Sequence, residues 1–148
     1  VIVYDTLRSM GLIVLYEFPL KLPDGRIIYP DFLILHPGTR TVYVWEHLGL
    51  WYHAEKGAKY QQAFCRKTLD YAALGFGLWS NLITSYPTVD GGIDAEKIRK
   101  MCKQIFFTEE TGISKNEGIS ASQFLTDQKN LDISMAKNFD SDGWNDFL

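Results

Sequence analysis

Two apolar runs that each hold a single acid constrain this chain more than any other feature. Tyr29-Pro30-Asp31-Phe32-Leu33-Ile34-Leu35 and Val42-Tyr43-Val44-Trp45-Glu46 contain no other charge, and a lone charge in such a run is costly to bury without a partner. Both runs alternate like strands, and Pro37-Gly38-Thr39-Arg40 between them reads as a four-residue turn. Pairing His36 with Thr41 sets an antiparallel register with Leu35 opposite Val42, Leu33 opposite Val44 and Asp31 opposite Glu46. The two carboxylates would then share one face of the sheet, with Cβ atoms roughly 5 Å apart. Like charges so placed repel, and the pair persists most easily with something positive between them. Oxygen donors favour Mg²⁺, Mn²⁺ or Ca²⁺ over zinc or copper. The competing reading is two solvated charges at strand ends, reached if the register slips by one residue.

The rest of the chain frames this hairpin. Apolar residues at positions 1, 3, 4, 7 and 10 form a helical stripe that Gly11 closes. The stripe is already under way at Val1, as expected of a fragment whose first turn lies upstream. Leu12 to Leu20 reads as a strand, and the Asp24-Gly25 pair as a tight turn into a second strand from Ile27 to Leu35. The third strand ends near Leu48. A long helix is expected from Ala54 to Leu74 with Gly75 as its stop, then a strand from Gly77 to Tyr86, then an amphipathic helix from Ala95 to Ile105 capped by Asp94. The order helix, three antiparallel strands, helix, strand, helix makes an α/β sandwich with a mixed sheet.

Length and composition place one domain in this chain. Its 148 residues can bury a single core, and a composition that is 46% hydrophobic and 14% aromatic excludes a chain disordered over most of its length. No apolar stretch approaches a membrane span and the first residues do not read as a signal peptide, so a cytoplasmic protein is expected. Cys65 and Cys102 fall in helical patterns without partners at metal-ligand spacing and are expected to be reduced core residues. Residues 1–106 carry 12 Lys and Arg against 10 Asp and Glu, whereas residues 107–148 carry 3 against 8. The core domain, 1–106, is therefore slightly basic, and the net charge of −3 leaves room for a nucleic-acid partner. The remainder, 107–148, is rich in Ser, Asn, Asp and Gly and is expected to be an acidic, partly ordered appendage.

Pro30-Asp31, followed fifteen positions later by Glu46 on the next strand of an αβββαβ order, resembles the PD-(D/E)XK, or restriction-endonuclease-like, nucleases. The resemblance implies that Asp31 and Glu46 bind Mg²⁺ or Mn²⁺, that the backbone carbonyl of His47 adds an inner-shell contact, and that the substrate is DNA. It also implies a lysine two places after the glutamate, where this chain has Leu48. By strand alternation Leu48 shares the face of Glu46 and His47 points the other way. A closer resemblance runs through Trp45-Glu46-His47-Leu48-Gly49, then Tyr60, Phe64, Lys67 and Tyr71. That pattern is similar to a subgroup found as domains of bacterial DNA helicases and other DNA-processing proteins, and it implies that the lysine has migrated onto the long helix as Lys67. Together these patterns span roughly residues 1 to 105.

Helical geometry bears on Lys67 independently. At about 100° per residue Tyr60, Phe64, Lys67 and Tyr71 share one stripe, and Ala58, Cys65, Leu69, Ala72 and Phe76 form another, so the helix is expected to be covered on both sides. The alternative for Lys67 is a side chain that snorkels to solvent along Phe64 and Tyr71. Lys56, Lys59, Tyr60, Arg66 and Tyr71 are candidates for nucleic-acid contact, with a solvated face as the equal alternative for the cations. Glu17 is expected opposite Phe32 on the far face, entering the site only through a bulge, and Asp5 is a weak stand-in for an acid on the first helix. His36, His47 and His53 fit no zinc spacing. The sequence thus leads to a Mg²⁺-dependent deoxyribonuclease with Asp31, Glu46 and Lys67 as catalytic residues. Its rivals are an inactive nucleic-acid- or protein-binding module on the same fold and an acidic-tailed interaction protein.

Overall fold

Helix α1 (Ile2–Ser9) buries Val3, Thr6 and Leu7, the inward part of the stripe read from the sequence. It ends where Gly11 takes φ +86°, a conformation that costs a residue with a side chain far more. The computed structural model describes residues 2–107 and 118–128. After α1 come β1 (Ile13–Tyr16), β2 (Leu20–Lys21), β3 (Ile27–Ile28), β4 (Phe32–His36), β5 (Thr41–His47), α2 (Gly57–Ala73), β6 (Leu82–Ser85), α3 (Ala95–Phe106), β7 (Ile119–Ser120) and α4 (Ala121–Asp127).

The main sheet runs β1-β4-β5-β6, with β7 also on β5. β4 is antiparallel to its two neighbours β1 and β5, β6 lies parallel to β5, and β7 is antiparallel to β5. The result is a mixed α/β architecture with a mostly antiparallel sheet flanked by helices. Strand alternation divides its core in two. Leu15, Leu33, Leu35, Val42, Val44 and Leu82 face Tyr71 of α2 and Phe124 of α4, together with Phe76. Val14, Phe32, Ile34, Tyr43, Trp45 and Ile83 face Val3 and Leu7 of α1 and Ile98, Cys102 and Phe106 of α3. Each such side chain contributes about 1.5–3 kcal/mol by leaving water.

The hairpin register is the expected one: His36 pairs with Thr41, Leu35 with Val42 and Leu33 with Val44. Its turn is anchored by His36, whose Nε2 lies 2.6 Å from the Phe106 carbonyl while Nδ1 accepts the Gly38 N–H at 3.0 Å. That ring is therefore a neutral tautomer with its proton on Nε2, tying the end of α3 to the β4–β5 turn.

The preceding hairpin differs from expectation by one residue. Gly25 N–H bonds to Leu22 O and Leu22 N–H to Arg26 O, so Pro23-Asp24-Gly25 is a three-residue loop with Gly25 at φ +93°. Tyr16, not Glu17, consequently pairs with Phe32. Glu17 takes φ +50° and interrupts the expected strand, so Leu20–Lys21 pairs with Ile27–Ile28 as a separate small sheet. The strand expected from Gly77 is also shorter, because the Gly77 carbonyl receives the N–H groups of Ser80, Asn81 and Leu82 in a folded loop. Asn81 holds that loop through Gly77 N–H and Gly75 O at 2.8 and 3.1 Å.

Helix α2 begins three residues later than Ala54, and no described element covers its second stripe. Ala58, Cys65, Leu69 and Ala72 are exposed, so Cys65 is a surface thiol, whereas Cys102 is buried and burial pushes its thiol up to about 12. The boundary expected at 107 also shifts in meaning. Residues 118–128 belong with the core: Ile119 pairs with Val42, and Ala121 and Phe124 are buried beside Phe76. The rest of the expected appendage lies outside the described residues, and no described helix is long and apolar enough to cross a membrane.

Candidate active site

Asp31 immediately precedes β4 and Glu46 is the penultimate residue of β5, so the register places them opposite each other on the α2 face. Glu46 is only 3% exposed. Helix α2 crosses this face and presents two donors from adjacent turns. Lys67 Nζ lies 2.7 Å from Glu46 Oε1, and the Tyr71 hydroxyl donates a short hydrogen bond to the same oxygen. Lys67, with a side chain 31% exposed, also donates to the Tyr29 carbonyl at 3.4 Å and stands 5.7 Å from the Tyr71 ring centre. Asp31 is held differently: its Oδ2 accepts the His47 backbone N–H at 2.8 Å. Each acid thus has one oxygen fixed by the protein, and the two carboxyl groups are close enough to share a hydrogen bond with each other.

The electrostatics follow from this enclosure. Burial, then the charge of Asp31, pushes the Glu46 carboxyl up to about 7, with Lys67 opposing the rise. Burial and the charges of Glu46 and Asp31 hold the Tyr71 phenol far above its ordinary range, so it remains a hydrogen-bond donor. Tyr60, two turns before Lys67 on the same α2 stripe, donates to the His47 carbonyl at 3.5 Å, and its phenol is raised by burial and then by Asp31 and Glu46. The His47 carbonyl therefore lies on the same side as the carboxylates.

The sign of the Glu46 shift gives a stability prediction. A carboxyl raised from 4.5 to about 7 favours the folded state most at low pH, and that advantage is lost as pH rises through about 7. Without divalent cations, Glu46→Gln should stabilise the protein relative to wild type by up to about 3 kcal/mol at pH 8, and by far less at pH 5. Urea unfolding at the two pH values in EDTA measures the difference.

The donor set fits a hard divalent cation. Two carboxylates and a carbonyl supply oxygen, and a cation between the acids would relieve the like-charge repulsion that raises Glu46. Among the described residues no three or more His, Cys, Asp and Glu side chains converge, so a metal here would complete its shell with water, as Mg²⁺ commonly does. The His47 imidazole is unsuited to join, because it lies across the sheet with Nδ1 2.8 Å from Ser85 Oγ, which also accepts the Trp45 indole N–H at 2.9 Å. Burial lowers the pKa of His47.

The structure brings together Asp31, Glu46, the His47 carbonyl, Lys67 and Tyr60. It does not bring in Glu17, whose carboxylate accepts a hydrogen bond from the Tyr16 hydroxyl and so raises that phenol. Asp5 is exposed on α1, across the sheet. Lys56, Lys59 and Arg66 are exposed along α2, open to a polyanion. Tyr71, expected at a nucleic-acid surface, is wholly buried and serves Glu46 instead. Its position four residues after Lys67 on the same stripe was the available signal for that role. The Ser85–His47–Trp45 link depends on the parallel register of β6, which no local pattern encodes. Tyr71→Phe should preserve the fold yet weaken divalent-cation binding by about 10–100-fold, the usual effect of removing a group that orients a ligand; calorimetric titration with Mn²⁺ measures it.

Leu48 is buried, with its N–H on the Ser85 carbonyl at 2.8 Å, and contributes no charge to the site. Comparisons of the chain with family models, curated proteins and solved structures find no match.

Proposed function

We propose that the chain is a metal-dependent DNA phosphodiesterase of the PD-(D/E)XK type, a domain of a larger DNA-processing protein such as a helicase. The observation that carries this reading is the 2.7 Å approach of Lys67 to Glu46. A lysine 21 positions after the glutamate in sequence reaches the place beside the acids that Leu48 leaves without a cation. The element order α1, β1, β4, β5, α2, β6, α3 with a parallel β5–β6 pair supports a restriction-endonuclease-like core.

A bound Mg²⁺ or Mn²⁺ would supply Lewis acidity toward the phosphate and lower the pKa of a water, which would then attack phosphorus as it gives up its proton to solvent. Asp31, Glu46 and the His47 carbonyl would hold it. The bonds from His47 N–H to Asp31 and from Tyr71 to Glu46 hold the two carboxyl groups against rotation, so their remaining oxygens are pre-oriented toward each other, where a cation would replace the proton they share. Lys67 is anchored on Tyr29 O and Glu46 and offers its remaining proton toward solvent, where a phosphate would approach. An ammonium there stabilises negative charge that grows in the transition state more than in the ground state. Exposed Lys56, Lys59 and Arg66 would meet backbone phosphates and position the strand.

Leu48 favours one rival, a nucleic-acid-binding module without activity. Incubating the protein with labelled DNA and Mg²⁺ or Mn²⁺, and then with EDTA, separates them: metal-dependent backbone cleavage is expected, and DNA binding with no cleavage under either divalent cation would establish the rival.

A further inference from the structure

The two segments that deliver the acids to the site each present an exposed tyrosine. Tyr29, two residues before Asp31, is 42% exposed, and Tyr52, in the loop after β5, is 56% exposed. Because β4 and β5 are antiparallel, the entry to one and the exit from the other lie at the same end of the sheet. β6 is parallel to β5, so Tyr86 just beyond it emerges there too.

These rings are not isolated. Tyr52 lies 6.5 Å from the Tyr86 ring, Tyr86 5.4 Å from Trp51, and Trp51 6.2 Å from Phe64, which shares the α2 stripe of Tyr60 and Lys67. Thr84, the register partner of Glu46, donates to the Tyr86 hydroxyl at 3.3 Å, fixing this aromatic row to the carboxylate face. On the opposite flank the Tyr29 carbonyl accepts from Lys67. Two segments that carry exposed tyrosines therefore flank the Lys67–Glu46 pair.

The loop that presents Tyr52 is held in place on both sides of it. Trp51 N–H bonds to Leu48 O and His53 N–H to Leu50 O, each at 3.1 Å. His53 Nδ1 accepts from the N–H groups of Glu55 and Lys56, and the Trp51 carbonyl accepts the Gln61 amide at 2.9 Å. An aromatic ring kept in water on an ordered loop forgoes burial, and it is pre-organised to stack on a flat partner. Paired bases inside a duplex offer only their edges, whereas an unpaired base offers its whole face, and stacking on it is indifferent to sequence.

We propose that the site takes single-stranded DNA, with unpaired bases stacked on Tyr52 and Tyr29 on either side of the phosphate that faces Lys67. The location of that phosphate rests on the phosphodiesterase reading; the stacking does not. Lys59 and Arg66 neutralise the backbone of the same strand.

The test is fluorescence anisotropy with a labelled oligothymidylate and with a blunt duplex of equal length, in EDTA at low salt. Tyr52→Ala and Tyr29→Ala should each weaken single-strand binding about 5–100-fold and change duplex binding less than twofold, since stacking contributes roughly 1–3 kcal/mol per base. Tyr52→Phe, which keeps the ring, should bind the single strand like wild type. The salt slope should be unaltered in the tyrosine variants and reduced in Lys59→Ala. Equal losses on single strand and duplex, an unchanged single-strand affinity in both alanine variants, or a Tyr52→Phe defect as large as that of alanine would each overturn the proposal. Wild-type cleavage in Mg²⁺ is scored separately. Ring-dependent single-strand binding without cleavage would end the catalytic reading and leave the substrate inference standing, and cleavage confined to duplex would do the reverse.

Discussion

Asp31→Asn and Glu46→Gln should each abolish Mg²⁺-dependent DNA cleavage and saturable divalent-cation binding while the protein stays folded. Alanine at either position should abolish both as well, but the structure shows why the amides are the better variants. Removing the Glu46 side chain would strand the Tyr71 hydroxyl in the core, and removing that of Asp31 would strand the His47 N–H, each at a cost of about 1–3 kcal/mol. The amides retain an oxygen that accepts those bonds and remove only the charge. Neither acid alone makes a site: the pair is created by register, and a single buried carboxylate in this environment is drawn toward its neutral form. Calorimetry with Mn²⁺ on both variants reads the binding directly. Wild-type affinity in both would mean that the opposed pair is not where the cation sits.

Lys67→Ala should lower the cleavage rate by about 10²–10³-fold with little change in DNA affinity, because its ammonium is set where charge grows during reaction. Lys67→Arg should not restore the rate. A planar guanidinium cannot occupy the short reach between Glu46 Oε1 and the Tyr29 carbonyl that a compact ammonium spans. Single-turnover rates at saturating DNA separate the two effects. A rate close to that of wild type in Lys67→Ala would remove the helix lysine from the chemistry and weaken the nuclease reading at its strongest point.

What the chain disclosed in advance was the part fixed by short-range rules. The β4–β5 hairpin follows from a turn of known length joined to alternating strands, and once His36 meets Thr41 every later pair is set. Lys67 and Tyr71 were placed on one stripe by helical spacing alone. The failures have equally local causes. Gly25 was read as the second residue of a two-residue turn and is the third of three, which moves Glu17 by one position and sends its carboxylate to Tyr16. The exposed stripe of α2 shows the limit of periodicity: Ala58, Cys65, Leu69 and Ala72 recur at helical spacing with no described element over them. Ile119 and Phe124 lie in a stretch poor in apolar residues, and their place in the core depends on a long return of the chain that no periodic pattern announces.

That return has a consequence for how the protein is made. β5, the strand that carries Glu46, is bonded beside β6 from Val44 onward, but beside Thr41 and Val42 its neighbour is β7. α4 then closes over the sheet, and the Gln128 amide bonds both the N–H and the carbonyl of Lys21, standing in for a strand along β2. During vectorial synthesis the hairpin bearing both acids would leave the ribosome long before its last neighbours. Until Ser120 emerges, β5 lacks its second neighbour at Thr41 and Val42, and until residue 128 emerges Lys21 lacks the Gln128 amide. The pairing that finishes the strand carrying Glu46 therefore spans far more of the chain than the β4–β5 hairpin, and closing so long a loop places it late in folding.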